Sequence, residues 1–83
     1  MKHLDEVKNI LGDVMSLGDR KALLNEESVL LGSIPELDSM AVVNIITALE
    51  EHFGIAVDDD EISAEAFETL GSLTRFVEQK LTQ

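Results

Sequence analysis

The chain is predicted to fold as an all-α domain, a small four-helix bundle of three main helices plus one short helix with a long first loop. Three observations predict it. Apolar residues recur at helical spacing in three separate stretches. The period-two alternation of a half-buried strand is absent. Gly18, Gly32, Gly54 and the single proline, Pro35, fall between the candidate helices or at their ends. At 83 residues the chain reads as one domain, residues 1–83, with 45% apolar residues for a single core and no room for a deep enclosed active site.

The first helix is expected over roughly 3–16, where Leu4, Val7, Leu11 and Val14 share a face and Asp5, Glu6, Lys8, Asn9 and Asp13 fill the others. Gly18 is its expected stop. Residues 18–37 show no clean period, and a loop of that length needs a reason. Their apolar content, from Leu23 to Leu37, predicts that they pack across the bundle around a short helical turn. The second helix should start at Asp38, a favoured capping residue, and run to Phe53–Gly54 on a stripe of Val42, Ile45, Ile46, Leu49 and Phe53. After a loop over 55–62, Ser63 can cap a short helix at about 64–68 with Phe67 inward. The last helix should begin near Thr69 or Ser72 and bury Leu70, Leu73, Val77 and Leu81.

The net charge of −11 excludes several partners. Nucleic acid and anionic membranes need clustered Lys and Arg, so a basic protein surface is the natural complement. No cysteine is present, which removes disulfides and thiolate metal sites and suits a reducing cytoplasm. Neither a signal peptide nor an apolar run near the roughly 20 residues of a membrane span is expected. The acidic stretch Glu50–Glu68 lacks the alternating ligands and central glycine of a calcium loop, so no metal site is expected.

One face of the second helix stands out. Met40, Asn44, Thr47 and Glu51 recur at i, i+4, i+7 and i+11, a stripe turned away from the core set. An outward methionine suits a partner surface; the alternative is that Met40 tucks under the long loop. Ser39 follows the expected cap. Two readings are open on the residues alone: a plain Asp-Ser helix start, or a hydroxyl left free at the positive end of a helix dipole, where a covalently attached phosphate is favoured. An enzymatic serine is not expected, because no Gly-x-Ser-x-Gly elbow surrounds Ser39. His52 reads as a solvated surface residue and His3 as a frayed-end residue.

The run Ile34-Pro35-Glu36-Leu37-Asp38-Ser39-Met40-Ala41-Val42-Val43 resembles the attachment site of acyl and peptidyl carrier proteins. Ala48–Ile55 and Phe67–Leu73 are similar to the same family in register, so the resemblance covers essentially the whole chain. It implies a carrier and not an enzyme, with a fold of acyl-carrier type. It also implies that Ser39 receives 4′-phosphopantetheine from coenzyme A through a phosphopantetheinyl transferase, with Asp38 capping the helix and aiding that docking. Met40, Asn44, Thr47, Glu50 and Glu51 would meet acyl-loading and acyl-transferring enzymes with basic docking surfaces. Val43, Ile46 and Leu49 would face a sheltered acyl chain. Such carriers are cytoplasmic, monomeric phosphoproteins of lipid and fatty-acid metabolism. Asn44 and Ala41 stand where housekeeping fatty-acid carriers are more acidic. The resemblance therefore points to a specialised bacterial carrier, such as an exosortase- or polysaccharide-associated type. A peptidyl carrier loaded with an amino acid, and a helical adaptor with no covalent chemistry, are the alternatives.

Overall fold

The structure, a computed structural model, describes residues 2–30 and 39–82, without the side chains of Ser39 and Asp59. It is all-helical. Helices α1 (Leu4–Val14), α2 (Ser39–Phe53) and α3 (Leu70–Leu81) are joined by segments that carry two short 3₁₀ turns, Gly18–Leu23 and Asp59–Glu61. Among the described residues the only strand-like pairing is an isolated bridge between Val29 and Thr69. Asp38, Pro35 and the rest of 31–38 lie outside the described residues, so the expected Asp38 cap does too.

Each helix contributes one apolar stripe to a common core. Val7 and Leu11 from α1, Ile45 and Leu49 from α2, and Leu70, Leu73 and Val77 from α3 are fully buried, as is Leu30 of the long loop. Val7 and Leu11, Ile45 and Leu49, and Leu73 and Val77 are i, i+4 neighbours that a helix stacks on one side, and Leu70 joins the last pair at i, i+3. The polar Thr74 is also buried, and its Oγ1 donates to the Leu70 carbonyl at 2.8 Å, so it costs no unpaired group.

The ends of the helices are made by different means. At the end of α1 the chain reverses at Ser16, whose φ of 53° is left-handed, while the Leu17 N–H reaches back to the Gly12 carbonyl at 3.0 Å. The sequence points to Gly18 as the stop, but Gly18 opens the following 3₁₀ turn instead. Gly54 does terminate α2, at φ 67°, with its N–H on the Glu50 carbonyl at 2.9 Å. α3 opens with a reciprocal cap: Ser72 N–H donates to Thr69 Oγ1 and Thr69 N–H to Ser72 Oγ, both at 3.0 Å. Where a short helix was expected at 64–68, the chain makes consecutive turns. Ser63 still caps them, accepting from the Ala66 N–H at 3.3 Å, and Phe67 is buried as expected.

The long loop has a structural purpose. The first N–H groups of a helix have no partner within it. Here Leu70 N–H donates to the Ser28 carbonyl at 3.0 Å and Gly71 N–H to the Glu26 carbonyl at 2.8 Å, while Leu30 N–H returns to Glu68 at 2.9 Å. Residues 26–30 thus satisfy the start of α3. Gly71 is needed for this approach: a Cβ there would sit 2.8 Å from the Glu26 carbonyl oxygen and 2.6 Å from its Cγ. Gly71→Ala should lower stability. The forced separation costs about 1–3 kcal/mol, and the gain in helix propensity offsets only about 1 kcal/mol. Thermal denaturation followed by circular dichroism should show a melting point several degrees lower. A Cβ on Gly12 would meet the stem of Lys21 from Cβ to Cδ and no backbone, so Gly12→Ala requires that side chain to shift.

Candidate functional site: the start of α2 and the cleft beside it

Ser39 is the first residue of α2. It stands at the positive end of a helix dipole, a position that favours a covalently held phosphodiester. Its neighbour Met40 is 69% exposed. The expected outward stripe is borne out as geometry: Met40, Asn44, Thr47 and Glu51 are all exposed. Met40 therefore does not tuck into the core, and the exposed stripe runs along most of α2.

Two residues lie elsewhere than expected. Val43 is 57% exposed and belongs to the outer face, one turn from Met40, so it does not line the interior. Its angular position on the helix explains this, since it falls opposite Ile45 and Leu49. Thr47 Oγ1 donates to the Val43 carbonyl at 3.0 Å, which keeps that hydroxyl on the same outer face. Glu50 is half-buried, and its Oε2 accepts from the Val57 N–H at 2.9 Å. That carboxylate anchors the loop after α2 and is not displayed for a partner. Ile46 and Leu49 are buried in the core, and neither lines the cleft beside Val42.

An apolar cleft of about 170 Å³ lies between α2 and the segment that follows the second 3₁₀ turn. Val42 forms one side, and Ile62, Ser63, Ala64 and Phe67 form the other. Val42 is three residues beyond Ser39, just under one turn of helix away. The sequence patterns gave no sign of Ile62 or Ala64 as lining residues, because both lie in a non-periodic stretch. Val42 could have been found: it is the member of the core stripe nearest Ser39 in the chain.

Both histidines have partners. His3 precedes α1, and its backbone N–H and ring Nδ1 meet Glu78 Oε2 of α3 at 3.2 and 3.1 Å. His52 Nε2 meets Glu6 Oε2 of α1 at 2.8 Å. Both rings stand edge-on to Phe53, with centroids 5.6 and 4.7 Å away. His3 is therefore not a frayed end, because these contacts fix it. Its hydrogen bond holds the Glu78 carboxyl below the usual 4.5. Glu61 is lowered likewise, first by its hydrogen bonds from Lys80 and then by the Asp58 N–H. Both carboxylates therefore add stability above about 4.5, and the contribution is lost as acid protonates them.

Comparison with known proteins places this arrangement. Residues 5–77 match the family described as the phosphopantetheine attachment site. An acyl carrier protein from Wolinella succinogenes is 31% identical over 78 residues, covering 94% of this chain and 96% of the relative. One from Thermotoga maritima is 30% identical over 76 residues, covering 92% and 88%. The solution structure of a holo acyl carrier protein from Nitrosomonas europaea is 70% identical and covers both chains fully, with a TM-score of 0.92.

A small helical carrier for a phosphopantetheine arm is thus the class that fold and site define. Within that class, the chain belongs to the acyl carrier protein family. It is a carrier rather than an enzyme, its prosthetic group is 4′-phosphopantetheine, and its partners are acyl-handling enzymes. Among the described residues, no helix is long and apolar enough to cross a membrane.

Proposed function

We propose that the arm is attached to Ser39, and that one observation carries this reading: the chain's single Asp-Ser pair falls where α2 starts, beside an exposed methionine, inside the matched family region. The other serines with described contacts are occupied locally. Ser28 Oγ accepts from Asn25, Ser63 Oγ accepts from Ala66, and Ser72 is spent on the α3 cap. A phosphopantetheinyl transferase would bring coenzyme A to Ser39. The hydroxyl oxygen attacks the pantetheine-side phosphorus and the diphosphate P–O bond breaks. Adenosine 3′,5′-bisphosphate departs and the hydroxyl proton passes to a base of the transferase. Asp38, next to Ser39 in sequence, helps that enzyme dock. When bound, the arm supplies the thiol on which acyl groups travel as thioesters.

The residues of the chain do the rest. The first turn of α2 stabilises the phosphodiester charge through its dipole, by about 0.3–1 kcal/mol. The cleft beside Val42 shelters the near end of an acyl chain, each buried CH₂ adding about 0.8 kcal/mol. Ile46 and Leu49 belong to the packed core that α2 shares with the other helices. Met40, Val43, Asn44, Thr47 and Glu51 meet the acyl-loading and acyl-transferring enzymes, whose docking surfaces are basic. One acid on that outer stripe makes it a poor match for enzymes that dock mainly on charge. This supports service in a specialised pathway, of the exosortase- or polysaccharide-associated kind, over housekeeping fatty-acid synthesis. The domain, residues 1–83, acts as a cytoplasmic monomer.

The test is incubation with coenzyme A and a broad-specificity transferase. Intact-mass spectrometry should show the gain of one arm, and peptide mapping should place it on Ser39. Cargo identified by mass spectrometry on the chain isolated from its host would test the specialised reading; ordinary fatty-acid intermediates alone would overturn it. Met40→Asp should keep the helicity of the wild type, because Met40 touches solvent, yet slow transfer to partner enzymes by about tenfold if it is a central apolar anchor. Unfolding of that variant, or unchanged transfer, would remove Met40 from the docking face.

A further inference from the structure

We infer that Lys80 and Glu61 form a latch that sets how long an acyl chain the cleft admits. The inference rests on reading the cleft beside Val42 as the acyl shelter. Glu61 closes the 3₁₀ turn Asp59–Glu61, immediately before the cleft-lining Ile62. Lys80 Nζ, from the last turn of α3, donates to both of its carboxylate oxygens, at 2.9 and 2.8 Å. Oε1 also accepts the Asp58 N–H at 3.0 Å, so the turn and the ion pair lock one another. The Lys80 side chain is only 11% exposed, a confinement unusual for a lysine.

The far end of the same wall is fixed as well. Ser72 Oγ of α3 donates to the Ala66 carbonyl at 3.0 Å. The wall of Ile62, Ser63 and Ala64 therefore hangs between two anchors, both on α3, and faces Val42 of α2 across the cleft. At about 170 Å³ the cleft takes roughly six carbons, since a cavity near 150 Å³ admits a benzene-sized guest. A longer chain fits only if the wall moves away from α2. The Ser72 anchor is part of the α3 cap, so the side that can yield is the ion pair. A partly exposed pair of this kind is weak enough to open transiently.

The experiment loads hexanoyl- and dodecanoyl-phosphopantetheine onto the whole chain, as wild type and as Lys80→Met, Lys80→Arg and Glu61→Gln. Intact mass confirms loading first. A failure to load at Ser39 would refute the attachment reading, and the latch with it, before any rate is measured. Thioester cleavage by neutral hydroxylamine is then followed for each chain length. In Lys80→Met and Glu61→Gln the dodecanoyl-to-hexanoyl rate ratio should fall about fivefold, because the longer chain now enters and is shielded. Lys80→Arg keeps two donors on the carboxylate and should hold the wild-type ratio. A merely structural role would speed cleavage of both lengths alike and leave the ratio unmoved. That result, or an arginine variant that behaves like methionine, overturns the latch. Should Lys80→Met fold poorly, Glu61→Gln decides the question alone.

Discussion

Ser39→Ala should gain no mass on incubation with coenzyme A and transferase, where the wild-type chain gains one arm. The effect is all-or-none, since the substitution removes the oxygen that forms the phosphodiester and leaves a methyl group in its place. The fold should survive. Ser39 lies in the first turn of α2, and alanine is the better helix former. Its stability should stay within about ±0.5 kcal/mol of the wild type, the span usual for surface substitutions. Ser63→Ala is the matched control: its hydroxyl accepts from Ala66, so it should load fully. Loading of Ser39→Ala, or loss of loading in Ser63→Ala, would place the arm elsewhere.

Leu49→Ala should be the most destabilising single truncation on α2. Leu49 is fully buried within the core formed by all three helices. Large-to-small changes at such sites cost about 2–5 kcal/mol through lost burial and the cavity left behind. A domain of this length has a total stability of roughly 4–12 kcal/mol. Between about a sixth and all of it would therefore disappear, and urea denaturation should show a lower midpoint with an unchanged slope. Val43→Ala provides the contrast. Val43 is 57% exposed on the outer face, and its truncation should cost under about 0.5 kcal/mol. Comparable losses at the two positions would mean that α2 is rotated from the orientation described.

The sequence was most legible where side chains repeat with the helical period. The stripes of Leu4, Val7, Leu11 and Val14, of Val42, Ile45 and Leu49, and of Leu70, Leu73 and Val77 place all three helices within a residue or two of their observed ends. The outward stripe of Met40, Asn44, Thr47 and Glu51 followed from the same arithmetic. What stayed hidden depends on contacts between segments far apart in the chain. Periodicity cannot say that Glu50 turns back to the Val57 amide, that Lys80 reaches Glu61, or that residues 26–30 cap α3. Val43 was set toward the acyl chain by the family resemblance alone; the periodic stripe of Val42, Ile45, Ile46 and Leu49 leaves it out, in keeping with its exposure. The turns at 64–68 replaced a helix because Ser72 Oγ draws the Ala66 carbonyl to α3, removing an acceptor that a continuing helix would use.

The pairing of His3 with Glu78 joins positions 75 apart in the chain. Closing so long a loop is entropically costly, and nothing local can bring its ends together in advance. This contact should be among the last to form as the chain folds and the first to part when it frays. It sits against Phe53, at the far end of α2 from Ser39, with about 20 Å of helix between them. That seam and Ser39 thus lie at opposite ends of α2, so fraying at the seam begins a full helix length from Ser39.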